Sequence, residues 1–201
     1  LLEDEFRDRT DVGITMQAYL RDSKQDLQDI VSWAKKRGNP LTVRLVKGAY
    51  WDQETIKAMQ KDWPQPVYND KVATDANFEE MTQLLLENHE YLYAAIASHN
   101  VRSQARAIAI AETLNIPRRR FEMQVLYGMG DKLAKLLVDR GYRVRVYCPY
   151  GDLLPGMAYL IRRLLENTAN SSFIRQSSEE MPIEQLLAAP VANGNDQLVY
   201  T

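Results

Sequence analysis

The chain has 201 residues, 45% of them apolar, enough to bury a substantial core in one or two domains. Its 25 basic and 27 acidic side chains leave a net charge of −2 with no basic stripe, which argues against nucleic acid as a partner. A lone cysteine, Cys148, excludes an internal disulfide and a cysteine-based metal cluster, and no apolar run reaches the ~20 residues that span a bilayer, so a cytoplasmic protein is the expectation.

The opening Leu1-Leu2-Glu3-Asp4-Glu5 lacks Met, is unlike a signal peptide, and reads as the interior of something longer. Five β-like runs follow, at 13–19, 41–47, 92–98, 121–126 and 143–148, each trailed by helical periodicity at about 24–37, 75–88, 101–114, 130–140 and 153–169. Gly38-Asn39-Pro40, Asn115-Ile-Pro117 and Gly141 mark where helices stop. The long interval 48–75, with Trp63-Pro64-Gln65-Pro66 inside it, reads as a short helix plus a functional loop. From 174 the sequence turns polar, and a last helical stretch at 183–189 precedes Pro190 and a linker-like end.

Strand then helix, five times over, means parallel strands joined by crossovers. Periodicity alone does not separate an open doubly wound sheet from part of an eight-stranded barrel. Gln17, Arg44 and Gln124 favour the barrel, because a sheet covered on both faces is nearly all apolar, whereas inner-wall polar groups of a barrel can serve a ligand at its mouth. The fold expected is α/β, a partial (β/α)8 TIM-like barrel of about five units, with roughly three strands missing.

Strand ends of such a barrel converge. They supply Gln17, Arg44 with Lys47, His99 with Asn100, Gln124 and Tyr147, and the helix after Tyr147-Cys-Pro-Tyr-Gly-Asp152 adds Tyr159, Arg162, Arg163 and Glu166 at helical spacing. Two adjacent guanidiniums make a clamp for a small carboxylate or phosphate, although Arg162 and Glu166 could equally be a surface i,i+4 pair. Arg44 fits either a buried structural ion pair or a phosphate contact, His99 either the core or a ligand, and Lys47 a Schiff base, a surface lysine or a carboxylate partner. Gly128-Met129-Gly130 resembles a phosphate-cradling turn. No Ser/His/Asp order is present, Cys148 lacks an activating partner, and His89 and His99 are the only histidines, with no carboxylate at metal-ligand spacing from His99. An anion-binding site without a protein nucleophile or metal results.

These residues carry a family resemblance. Arg44-Leu-Val-Lys-Gly-Ala-Tyr-Trp51, Ser98-His-Asn100, Gln124-Val-Leu-Tyr-Gly-Met-Gly130, Arg145-Val-Tyr147 and Tyr159-Leu-Ile-Arg-Arg-Leu-Leu-Glu-Asn167 with Asn170-Ser-Ser-Phe173 resemble the flavin-dependent proline dehydrogenases. The pattern is most similar to the proline dehydrogenase domain of bacterial bifunctional proline utilization flavoproteins, over about 13–190. The resemblance implies FAD across the barrel mouth, oxidation of L-proline to Δ1-pyrroline-5-carboxylate, and reoxidation by a membrane quinone, with peripheral contact at the inner membrane. It also implies residue roles. Arg162 and Arg163 bind the substrate carboxylate; Tyr50, Tyr147 and Tyr159 enclose the proline ring, with Leu126 a further wall. Gln17, Arg44, Val46, Gly48, Ala49, Trp51, Lys71, Thr74, His99, Gln124, Glu166 and Phe173 contact the FAD.

By the same resemblance, residues 1–173 are the C-terminal part of the barrel, and 174–201 are a closing helix and a linker toward an aldehyde dehydrogenase domain. The family's substrate-pairing lysine and flavin-side aspartate lie on earlier strands than any present, so these residues alone are expected to turn over little or nothing. Two alternatives stand beside this reading: a lysine-dependent aldolase with Lys47 as its Schiff base, and a barrel remnant without catalysis.

Overall fold

The computed structural model describes residues 2–168 and 182–190. Five strands, β1 (Gly13–Gln17), β2 (Leu41–Val46), β3 (Leu92–Ala97), β4 (Glu122–Leu126) and β5 (Arg143–Tyr147), form one sheet whose spatial order equals their order in sequence. Every pairing is parallel. A doubly wound sheet reverses its order at a switch point; an unbroken 1-2-3-4-5 order keeps the crossovers on one side and is the barrel arrangement. The fold is the expected five-unit part of a TIM-like barrel.

The crossovers are α1 (Ser23–Arg37), α2 (Trp51–Gln60) with α3 (Lys71–Glu87), α4 (Val101–Thr113) and α5 (Asp131–Asp139), and α6 (Leu153–Thr168) follows β5. Their faces obey the patterns that made them readable. Leu27, Val31 and Ala34 of α1 recur at helical spacing, as do Phe78, Met81 and Leu85 of α3, and both sets are buried. They pack on the outward strand residues Met16, Val43, Leu45, Ala94, Ile96 and Met123 in one continuous core that α4 and α5 extend through Ala107, Ile110 and Leu137. Burying a large aliphatic side chain stabilises the fold by roughly 1.5–3 kcal/mol each, so the apolar packing of this sheet lies mainly on its outer face.

Helix α3 begins at Lys71, earlier than the expected 75, because the Asp70 carboxylate accepts from the Val72 N–H at 2.9 Å and caps the first turn. Strand β1 ends at Gln17, although its ladder continues through Ala18 N–H to Val46 O (2.9 Å) and Tyr19 N–H to Lys47 O (2.7 Å). The loop after α2 is pinned there by Tyr68 N–H to Tyr19 O, 2.8 Å. The helical stretch expected at 183–189 is a single turn, Ile183–Leu186.

Candidate active site at the barrel mouth

Side chains of a strand alternate between faces, so the register decides which residues meet inside. Thr15 lies beside Arg44, Arg44 beside Ala95, Ala95 beside Glu122 and Glu122 beside Arg143. Two residues further on, Gln17 pairs with Val46, and Ala97 with Gln124 and then Arg145. This inner face is polar and charged where the outer face is aliphatic.

At the C-terminal end of the strands it opens into a cleft of about 900 Å³. Of the residues singled out from the sequence, Gln17, Arg44, Val46, Gly48, Ala49, Tyr50, His99, Gln124, Leu126, Tyr147, Tyr159, Arg162 and Arg163 line it together, with Lys47 and Asp52 among their neighbours. Tyr147 closes β5 half exposed, and its ring lies 6.2 Å from that of Tyr159 on α6. One turn along α6, the Arg162 guanidinium stacks 4.2 Å from the Tyr50 ring centroid and that of Arg163 5.0 Å from Tyr159. Two positive heads and three phenol rings thus share one wall, with Leu126 at the end of β4 nearby.

The inner faces of β2, β4 and β5 carry a hydrogen-bond ladder. Arg44 Nε donates to Gln124 Oε1 (2.7 Å), Gln124 Nε2 donates to Glu122 Oε1 (2.6 Å), and Arg145 donates through Nε and Nη2 to the two Glu122 oxygens (2.8 and 3.0 Å). Burial works against a charge on Glu122, yet the bonds from Arg145 and Gln124 and the nearby Arg143 outweigh it and hold the carboxyl below its usual range. His99 accepts from the Leu126 N–H at Nε2, 2.8 Å. Burial and the neighbouring Arg163 push its pKa down, so the ring is neutral and carries its proton at Nδ1. Gly130 makes room for it, since a Cβ there would meet the imidazole Cδ2 at 3.1 Å.

Lys47 turns away toward α3, its Nζ 2.6 Å from Asp75 Oδ1 and 5.5 Å from the Phe78 ring centroid. Of the three readings open for this lysine, the carboxylate partner is the one present. Trp51, Lys71 and Thr74 stand off the cleft lining. Trp51 Nε1 donates to the Tyr68 carbonyl (2.7 Å), Lys71 pairs with Asp75 (2.9 Å), and the Thr74 hydroxyl donates back to Asp70 O (3.4 Å). The backbone of Glu166 lies on α6, while its side chain and the whole of Phe173 are outside the described residues. In the Gly128–Gly130 turn the Gly128 N–H goes to Asp131 Oδ1 (3.3 Å), which starts α5, so it is spent on the helix end rather than offered to a phosphate.

Glu122 and Asp75 escaped the sequence reading. The signal for Glu122 was a carboxylate at an inner-face position of an otherwise apolar strand; for Asp75, an acid one turn into a helix whose start was placed too late.

Comparison with known proteins agrees with this geometry. The family described as proline dehydrogenase matches residues 1–176. The chain is 37% identical over 186 residues to the bifunctional protein PutA of Rhizobium meliloti, covering 90% of this chain and 15% of that protein. It is 32% identical over 163 residues to proline dehydrogenase 1 of Bacillus subtilis (strain 168), covering 81% of this chain and 47% of that one. The crystal structure of proline utilization A from Bdellovibrio bacteriovorus inactivated by N-propargylglycine superposes with a TM-score of 0.90 at 51% identity, covering 94% of this chain and 20% of that chain. The chain therefore spans about one seventh of the length of the curated PutA proteins and just under half of the Bacillus enzyme. With the family pattern running through all five β/α units and the cleft they build, the chain belongs to the proline dehydrogenase family.

Proposed function

We propose that the protein carrying this chain oxidises L-proline to Δ1-pyrroline-5-carboxylate in proline catabolism, with FAD held across the barrel mouth. The observation that carries the reading is the pair Arg162 and Arg163, backed by the Tyr50 and Tyr159 rings on the wall of the cleft. A planar fork of donors suits a carboxylate, and two of them suit one that must not rotate. Tyr147 and Leu126 bound the remaining space, in keeping with a small saturated ring beside that anchor.

The donor set at the strand ends fits FAD. Arg44 brings a positive head to an acceptor-rich, anionic pyrophosphate, and Gln17 and the His99 Nδ1–H bring neutral donors, with Gln124, Val46, Gly48 and Ala49 as close neighbours. Trp51, Lys71, Thr74, Glu166 and Phe173 complete the proposed contacts. FAD, when bound, supplies the two-electron acceptor for the hydride that leaves the ring carbon beside nitrogen. The chain's own part is to bind, orient and dry. The guanidiniums fix the carboxylate, and their charge disfavours a second cation nearby, so the substrate amine gives its proton to solvent and keeps the lone pair that assists hydride loss. The tyrosines exclude water from the ring and hold the reacting carbon in place.

The Schiff-base alternative finds no support, since the Lys47 ammonium is held by Asp75. Reoxidation by a membrane quinone, a cytoplasmic site with peripheral membrane contact, and a division into barrel (1–173) and closing helix with linker (174–201) rest on the family resemblance. Among the described residues no helix is long and apolar enough to cross a membrane.

Anaerobic addition of L-proline to the FAD-loaded protein tests the proposal. The expected result is bleaching of the oxidised flavin band with formation of an o-aminobenzaldehyde-reactive pyrroline. A flavin that stays yellow under saturating L-proline overturns it.

A further inference from the structure

We infer that Glu122 is a positioning residue for the cofactor site, fixing the direction of the Arg44 guanidinium through the amide of Gln124. The inference rests on the reading of Arg44 as an FAD contact and goes beyond it, because Glu122 sits below the cleft lining.

Hydrogen-bond polarity orders this chain of contacts. Glu122 is 2% exposed, and an ionised carboxylate only accepts. Arg145 grips both its oxygens (2.8 and 3.0 Å), so the carboxylate has a single orientation. The Gln124 side chain has one donor end and one acceptor end. Its NH2 must face Glu122, at 2.6 Å, which leaves its carbonyl facing Arg44. That carbonyl accepts from Arg44 Nε at 2.7 Å. Turning the amide over would set an oxygen against the carboxylate and an NH2 against the guanidinium, two repulsive contacts in a buried place. With Nε engaged, the Arg44 guanidinium has one direction, its Cζ 5.9 Å from the Tyr147 ring centroid. Its two terminal NH2 groups, which donate to no other described residue, are left to the cleft. The buried charge of Glu122 thus sets the aim of a cation two side chains away.

A bland role, in which Glu122 serves only to neutralise Arg145, predicts a loss of stability without a selective effect on the cofactor. The two roles separate in a double-mutant cycle on the native protein carrying this chain, read as the dissociation constant of FAD and the shape of its visible absorbance band. Arg44→Met and Glu122→Gln are each expected to weaken FAD binding by about tenfold or more. The double variant is expected to bind FAD within about twofold of Arg44→Met alone, because Glu122 has nothing left to aim. If Glu122→Gln binds FAD as the wild type does, or if its penalty adds in full to that of Arg44→Met, the positioning role is wrong. If Arg44→Met itself leaves FAD binding unchanged, it is the cofactor reading of Arg44 that fails. Should Glu122→Gln not fold, Glu122→Asp keeps the charge but withdraws the carboxylate from Gln124 and takes its place in the cycle; the same absence of additivity with Arg44→Met is expected, and full additivity overturns the inference.

Discussion

Replacing Asp75 by Asn exposes how the wall beside the cleft is held. Asp75 lies between Lys47 (2.6 Å) and Lys71 (2.9 Å), with side-chain exposures of 17% for the carboxylate, 21% for Lys47 and 55% for Lys71. Burial pushes the Lys47 ammonium's pKa down, and the carboxylate it touches offsets part of that cost. Removing one partner of a fully buried pair costs about 3–5 kcal/mol; with about a fifth of each side chain still wet, about 2–3 kcal/mol is the expected loss. For a domain of this size that lowers the melting temperature by about 4–12 °C. Lys71→Met serves as the control, because an exposed i,i+4 pair contributes only about 0.3–0.5 kcal/mol. The sign with pH is also set. Burial alone would raise the Asp75 pKa, but Lys47 and Lys71 bring it below the 3.8 of a free aspartate, so the pair's stability is present above that value and is lost as pH falls through the lower folded value. Thermal melts of both variants at pH 7 and below pH 4 provide the assay. Asp75→Asn melting within 2 °C of the wild type at pH 7, or Lys71→Met costing as much, refutes the reasoning.

Two further outcomes follow from single contacts. Gly48 has φ +127°, and a Cβ there would lie 2.4 Å from Tyr19 Cγ, so Gly48→Ala combines backbone strain with a clash against a buried ring. Its expected cost is roughly 2–4 kcal/mol by thermal or urea melting, and an unchanged midpoint would contradict the packing described. The His99 imidazole, depressed by burial and Arg163 and accepting at Nε2, is expected to be less than half protonated at pH 6.5, as the Nδ1–H tautomer. Nitrogen NMR of the ring checks this, and an imidazolium signal dominant at that pH would count against it.

Local signals made much of this legible. Alternating and helical patterns located all five strands and the helices after them, and the inward polar residues Gln17, Arg44 and Gln124 pointed to a barrel. What stayed hidden was non-local. The choice between an open sheet and a barrel depends on spatial strand order, which periodicity does not encode. The Glu122–Arg145 pair exists because β4 and β5 are in register, with Gln124 directly beside Arg145. Lys47 could not be assigned without knowing that α3 brings Asp75 across the loop, and that helix was started too late because the cap at Asp70 went unused. Lys71 and Thr74 were named by family resemblance alone, and their partners, Asp75 for one and the Asp70 carbonyl for the other, depend on where α3 starts. In the Gly128–Gly130 turn, the partner of the Gly128 N–H is likewise a side chain beyond the motif, Asp131.

The central claim is that Arg162 and Arg163 recognise the carboxylate of L-proline. It is tested most directly by comparing flavin reduction rates with L-proline and L-prolinamide in the wild type and in Arg162→Met and Arg163→Met. The wild type is expected to prefer the acid by about a hundredfold or more, and each substitution to collapse most of that preference, as when a charged anchor is removed. Retention of the full preference by both variants would contradict it.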